Sequence, residues 1–270
     1  MQAVMRVPTR AAVRGGTQPR DMAGSGRRGA ASPAGLPGWA LLEEAVGRQA
    51  PFLSAPVPGW PGKCDVCRRP LRAASRCYLC REQAESLPGL LADAVVPVCF
   101  APKGGLHARN LWLYKSGQAG AGAARLVLLA LLAVFLRDHA PCVWAAAGMA
   151  SPAHLAAVPS GRGRLGPHPL RALAGPLTVA WPWDPAARIA GPGRYPAAPL
   201  PGARVALLDG TWTTGVSAQS AAAALRLAGA QPVAVIVLGR HLLPAPGLPA
   251  FEVGRCAVHR CPAPADRPGQ

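Results

Sequence analysis

The chain has 270 residues, 50% of them hydrophobic, with 31 glycines, 31 prolines and a formal charge of +17 from 29 basic and 12 acidic residues. That length and apolar content exclude a chain disordered throughout and leave room for one sizeable domain with appendages. The charge points to anionic partners, either phosphorylated small molecules or nucleic acid, and alone it does not choose between them.

Residues 1–50 lack periodicity and are dominated by Ala, Arg, Gly, Pro and Ser, which predicts a disordered basic tail. They are also rich in Arg and poor in acids, as organellar targeting peptides are. Only Leu41, Leu42, Glu43 and Glu44 hint at a short helix. Without residues 1–35 the chain still carries 23 basic against 11 acidic residues, so its body is basic too.

Residues 51–92 hold the pattern CDVCRRPLRAASRCYLC, in which Cys64 and Cys67, then Cys77 and Cys80, form two Cys-x-x-Cys knuckles. Each knuckle brings two thiolates to one cation, and four thiolates satisfy the tetrahedral preference of structural Zn2+. The competing reading is a redox pair or disulfides. Arg68, Arg69, Arg72, Arg76 and Arg81 surround the knuckles, either as a solvated face or as a contact for nucleic acid.

From residue 93 to 250 apolar strands and helices alternate. Residues 94–100 read as a strand that Pro97 moves to a sheet edge. The segment after it carries Lys103 and Lys115. Residues 126–136 form an apolar run of eleven, well short of the roughly 20 needed to cross a bilayer, and read as a buried helix. With no hydrophobic stretch of signal-peptide type near residue 1, the expectation is a cytoplasmic protein without a membrane partner. Residues 155–158 are a second strand, leading to Arg162 and Arg164 around Gly163, a pair suited to pyrophosphate because guanidinium groups bind phosphate bidentately. Residues 168–174 are a helix, with His168 either an acid–base group or a structural residue. Residues 181–203 suit a loop over a crevice.

The stretch 204–230 is the most informative. Val205, Ala206, Leu207 and Leu208 form an unalternating apolar strand, which Asp209 ends. Thr213, Thr214, Gly215, Val216 and Ser217 follow as an anion-binding turn of small residues and hydroxyls. Ala218, Ala221, Ala222 and Leu225 then repeat at helical spacing, up to a C′ cap at Gly229. The helix N-terminus directs N–H groups and positive dipole at whatever anion the turn holds. Residues 232–238 supply the next buried strand. In the tail at 251–270, Cys256, His259 and Cys261 have spacing that permits metal binding.

The pattern of apolar strand, Asp209 and Thr-Thr-Gly-Val-Ser resembles the phosphoribosyl pyrophosphate (PRPP) motif of type I phosphoribosyltransferases, including amidophosphoribosyltransferases. With the zinc knuckles ahead of it, the order is similar to that of the competence-associated ComF group. The resemblance implies an α/β fold with a doubly wound, mostly parallel sheet behind a small four-cysteine zinc module. It also implies binding of PRPP with Mg2+, transfer of phosphoribosyl to a nitrogen acceptor and release of pyrophosphate. Asp209 would hold the ribose hydroxyls, residues 213–217 the 5′-phosphate, and Lys115, in the group's Tyr-Lys element, the pyrophosphate. Gly210 stands where the family has its second acid. The alternative is a non-catalytic accessory protein of the same fold that binds nucleic acid or senses PRPP. An oligomer is compatible with either.

Overall fold

The apolar runs become four strands of one all-parallel sheet in the computed structural model, which describes residues 37–57, 62–72, 74–159, 168–175, 177 and 199–252. The strands are β1 (Ala94–Pro102), β2 (His154–Ala157), β3 (Val205–Trp212) and β4 (Val233–Leu242), in the order β1-β4-β3-β2. β1 lies at an edge, where Pro97 deprives no inner neighbour of a ladder donor. The two inner strands, β3 and β4, are buried over most of their length, and both open on runs of Val, Ala, Leu and Ile without polar alternation.

Helices cover both faces. On one lie α1 (Trp39–Gln49), α3 (Leu106–Leu113), α4 (Ala121–Ala146) and α5 (Pro169–Ala174), whose Leu42, Val46, Leu111, Leu128, Leu132 and Leu170 pack with Ala206, Leu208 and Ile236. On the other lie α6 (Val216–Leu227) and the four-cysteine segment with α2 (Tyr78–Ser86), which pack with Val205, Leu207, Val233 and Val235. α6 forms as its spacing predicts, with Ala218, Ala221, Ala222 and Leu225 fully buried. It closes with Gly229 at φ 95° and the Ala230 N–H donating to the Leu225 carbonyl at 2.9 Å, a left-handed cap that glycine adopts without strain.

One level of the sheet departs from simple alternation. Pro97 pairs with Val237 and Cys99 with Gly239, while Asp209 pairs with Val237 and Thr211 with Gly239, so Val98, Leu238 and Gly210 are skipped together. Beyond that level the faces exchange. Leu208 packs on the α4 side, whereas Trp212, an even number of residues later, packs on the side of the cysteine segment.

Three expectations are corrected. Residues 39–49 are not part of a disordered tail: α1 docks on α4, with Leu42 and Val46 fully buried, the Arg137 guanidinium stacked 4.9 Å from the Trp39 ring centroid and Arg137 paired with Glu43. The apolar run at 126–136 is only the middle of α4, which continues through Pro141 to Ala146 because the flanking alanines keep the helix going. Asp209 does not end its strand, since ladder pairing continues to Trp212 against Arg240. By length and composition α4 could cross a membrane, yet 67% of its most apolar window is buried inside the protein. Residues 1–36, most of the loop at 181–203, and Cys256, His259 and Cys261 lie outside the described residues.

If α1 is part of the core, Leu42→Ala will destabilise the protein by about 2–5 kcal/mol, the range for removing a buried leucine side chain. Urea unfolding checks this, and an unchanged midpoint would return α1 to the tail.

Candidate functional site

The cysteine pattern folds into one centre. Cys64 and Cys67 flank a tight turn in which the Arg68 N–H donates to the Cys64 carbonyl at 3.0 Å, with Arg68 itself at φ 59°. Cys77 is the N-cap residue of α2, and Cys80 sits in that helix's first turn. The chain between the knuckles is folded back by the Cys64 N–H on the Arg69 carbonyl at 2.8 Å and the Asp65 N–H on the Ser75 carbonyl at 2.7 Å. All four cysteines are buried, and their sulfurs lie within 4.8 Å of one another. Cys67 Sγ and Cys77 Sγ are 3.8 Å apart, which is about the edge of a tetrahedron with Zn–S bonds of about 2.3 Å. Without a cation these thiols cannot all ionise. Hydrogen bonding from Cys67 and Cys80 holds Cys64 well down, and the same contacts push Cys67 and Cys80 up. The donor set therefore fits a closed, structural Zn2+ centre.

The centre is tied to the rest of the fold by polar contacts that its spacing does not announce. Arg240, near the end of β4, is only 2% exposed. Its Nη2 donates to Cys67 Sγ at 3.6 Å, and its Nη1 lies 2.9 Å from both the Trp212 and the Thr213 carbonyl oxygens and 2.6 Å from that of His241. From α2, Gln83 Nε2 donates to the Thr214 carbonyl at 2.8 Å.

Those carbonyls belong to the turn joining β3 to α6. Gly215 caps α6 at φ 89°, and a β-carbon there would fall 2.1 Å from Trp212 Cζ2, so both the backbone angle and the indole beneath it require glycine. Thr213, Thr214, Val216 and Ser217 are exposed around it, and the Val216 N–H donates to Thr214 Oγ1 at 3.4 Å. Trp212 is buried beneath the turn.

Beside the turn, Asp209 Oδ1 accepts the Thr211 N–H at 3.3 Å. Burial pushes its carboxyl up to about 6, against the opposing pull of the Thr211 and Gly210 N–H groups and of the Lys115 ammonium. Lys115 arrives from just beyond α3, with its Nζ 5.1 Å from the Tyr114 ring centroid. Tyr114 and Lys115 fill the space beside Gly210. A β-carbon at Gly210 would lie 2.5 Å from Tyr114 Oη and 3.1 Å from Lys115 Nζ. One carboxylate next to an ammonium does not make a site for a resident divalent cation, which prefers several hard oxygen ligands. The residues thus fit zinc at the cysteines and do not fit a protein-held Mg2+ at Asp209.

Of the sequence-predicted residues, Asp209, Lys115, Thr213, Thr214, Gly215, Val216 and Ser217 cluster at the C-terminal ends of parallel strands, the usual ligand edge of an open α/β sheet. Cys64, Cys67, Cys77 and Cys80 form the neighbouring centre. Arg162 and Arg164 lie outside the described residues. His168 is the N-cap residue of α5. Arg240 and Gln83 are site residues that the sequence patterns do not mark. The only sequence signal for Arg240 is a charge following seven apolar or glycine residues in β4.

No family model, curated protein or solved structure matches this chain.

The purified protein is expected to carry one zinc per chain, and Cys80→Ser to lose most of it, as read by elemental analysis. The carboxyl of Asp209 gives a second expectation. Its proton is held more tightly in the folded than in the unfolded chain, so its contribution to stability is full below about pH 4 and falls as pH rises to about 6. Asp209→Asn removes that fall, and at pH 7 it should be more stable than the wild type by about 1–2 kcal/mol after allowance for the carboxyl's partial exposure. Urea midpoints measured from pH 4 to 7.5 check this, and parallel curves for the two proteins would refute it.

Proposed function

We propose that the crevice at Asp209 and the 213–217 turn binds PRPP, and that the protein transfers phosphoribosyl to a nitrogen acceptor on a type I phosphoribosyltransferase-like fold. The observation that carries this reading is the direct succession of parallel strand β3, which carries Asp209, the glycine-capped turn and α6, with Lys115 brought in beside Gly210 from just beyond α3. The exposed hydroxyls of Thr213, Thr214 and Ser217 and the N–H groups at the start of α6 suit a terminal phosphate. Asp209, ionised above about pH 6, is an acceptor for ribose hydroxyls. Lys115 is the cation for pyrophosphate as the bond from C1 to its oxygen breaks, a bond from C1 to nitrogen forms and the nitrogen gives up its proton. Positioning and charge neutralisation supply the rate, as expected for an oxocarbenium-like transition state. Mg2+ enters only as a counter-ion carried by the pyrophosphate. The zinc centre has no part in the chemical step.

A second reading keeps the ligand and drops the turnover: a zinc-containing accessory protein that senses PRPP or binds nucleic acid. It is favoured by the filled space at Gly210 and by the exposed Arg69, Arg72, Arg76 and Arg81 on the cysteine module. Pyrophosphate release with a panel of nitrogenous bases separates the two.

Calorimetric titration of PRPP, with and without Mg2+, into the zinc-loaded protein should show saturable binding. Asp209→Asn and Ser217→Ala should each weaken it about tenfold, in line with loss of one hydrogen bond to a charged group. A folded, zinc-loaded wild type that takes up no PRPP would sink both the enzyme and the sensor reading.

A further inference from the structure

We infer that the four-cysteine centre, acting through Arg240 and Gln83, sets the orientation of the amide groups in the turn at 213–215, and that Arg240 is a positioning residue for that turn. Three successive carbonyls, of Trp212, Thr213 and Thr214, are held by side chains that contact or belong to the metal module. The first two accept from Arg240, whose other nitrogen is on Cys67 Sγ, and the third accepts from Gln83, three residues after Cys80 on α2. A trans peptide is planar, with its C=O and N–H pointing in opposite directions. Holding these three carbonyls toward the module therefore turns the N–H groups of Thr213, Thr214 and Gly215 away from it. Among the described residues, no backbone carbonyl accepts from any of the three.

The electrostatics run the same way. Arg240 is buried and has no carboxylate partner among the described salt bridges. A buried guanidinium requires counter-charge and acceptors. Four thiolates around one Zn2+ carry two net negative charges, and the three carbonyls of Trp212, Thr213 and His241 provide acceptors. The charge that anchors Arg240 to Cys67 is thus the charge that lets the same guanidinium draw in the turn. Metal occupancy and turn geometry are two ends of one side chain. This coupling needs no ligand, so it stands or falls apart from the PRPP reading.

The test is the residue-resolved amide proton–nitrogen spectrum of the ligand-free, zinc-loaded full-length protein, with the Co2+-substituted protein as a spectroscopic companion. In Arg240→Met the amide signals of residues 213 and 214 should move, because the carbonyls of the peptides that carry them have lost their donor. The amide signals of β2 and of β3 before Asp209 should keep their positions. The sulfur-to-cobalt charge-transfer band should persist at one metal per chain and shift in energy, because Cys67 has lost its donor. Gln83→Ala, a milder change on α2, should move the Gly215 signal most, and it serves if Arg240→Met does not fold. Unmoved turn signals in a folded variant would overturn the inference. So would equal shifts throughout β2, β3 and β4, which would make Arg240 a general stabiliser.

Discussion

A single buried guanidinium is the constraint around which the site is arranged. Arg240 has its nitrogens on the Cys67 sulfur at one end and on the turn between β3 and α6 at the other. A cation at that depth is tolerated only where anionic and carbonyl partners surround it, so the module and the turn cannot shift apart without leaving a charge stranded in the core. Apolar contact reinforces the constraint. Val66, Leu71 and Leu79 of the module join the cluster that holds α6 and the adjoining face of β3 and β4. The cysteine module is thereby one wall of the domain and not an appendage.

The surroundings of Asp209 depend on the small volume of its neighbour Gly210. At position 210 the glycine leaves room for Tyr114 Oη and Lys115 Nζ. One carboxylate, that of Asp209, therefore lies near an ammonium. Burial then raises Asp209 toward neutrality, and Lys115 only partly offsets that effect.

Much of this was legible locally. The spacing of the four cysteines identifies the metal ligands, because two residues between paired thiols suffice to aim both at one ion. The unalternating run of Val205, Ala206, Leu207 and Leu208 marks an inner parallel strand, and the threonine and glycine turn with alanines at helical spacing marks the start and face of α6. Other elements were hidden by their context. The helix α1 is short and weakly patterned, and its stability comes from packing Leu42 and Val46 on α4. The full length of α4 was obscured by Pro141 and by runs of alanine that carry little hydrophobic contrast.

The amino-acid sequence by itself determined the short-range chemistry: which thiols meet, where the strand gives way to a turn, and which glycine permits that turn, since each depends on residues within a few positions. The tertiary structure alone decided how these pieces join. Cys67 and Arg240 are 173 positions apart, and Gln83 and Thr214 are 131 apart. Strict two-residue alternation would point Arg240 and Trp212 toward α4. The level skipped at Val98, Gly210 and Leu238 exchanges the faces and delivers both to the cysteine module, an outcome of pairing among three strands that no single strand's pattern contains.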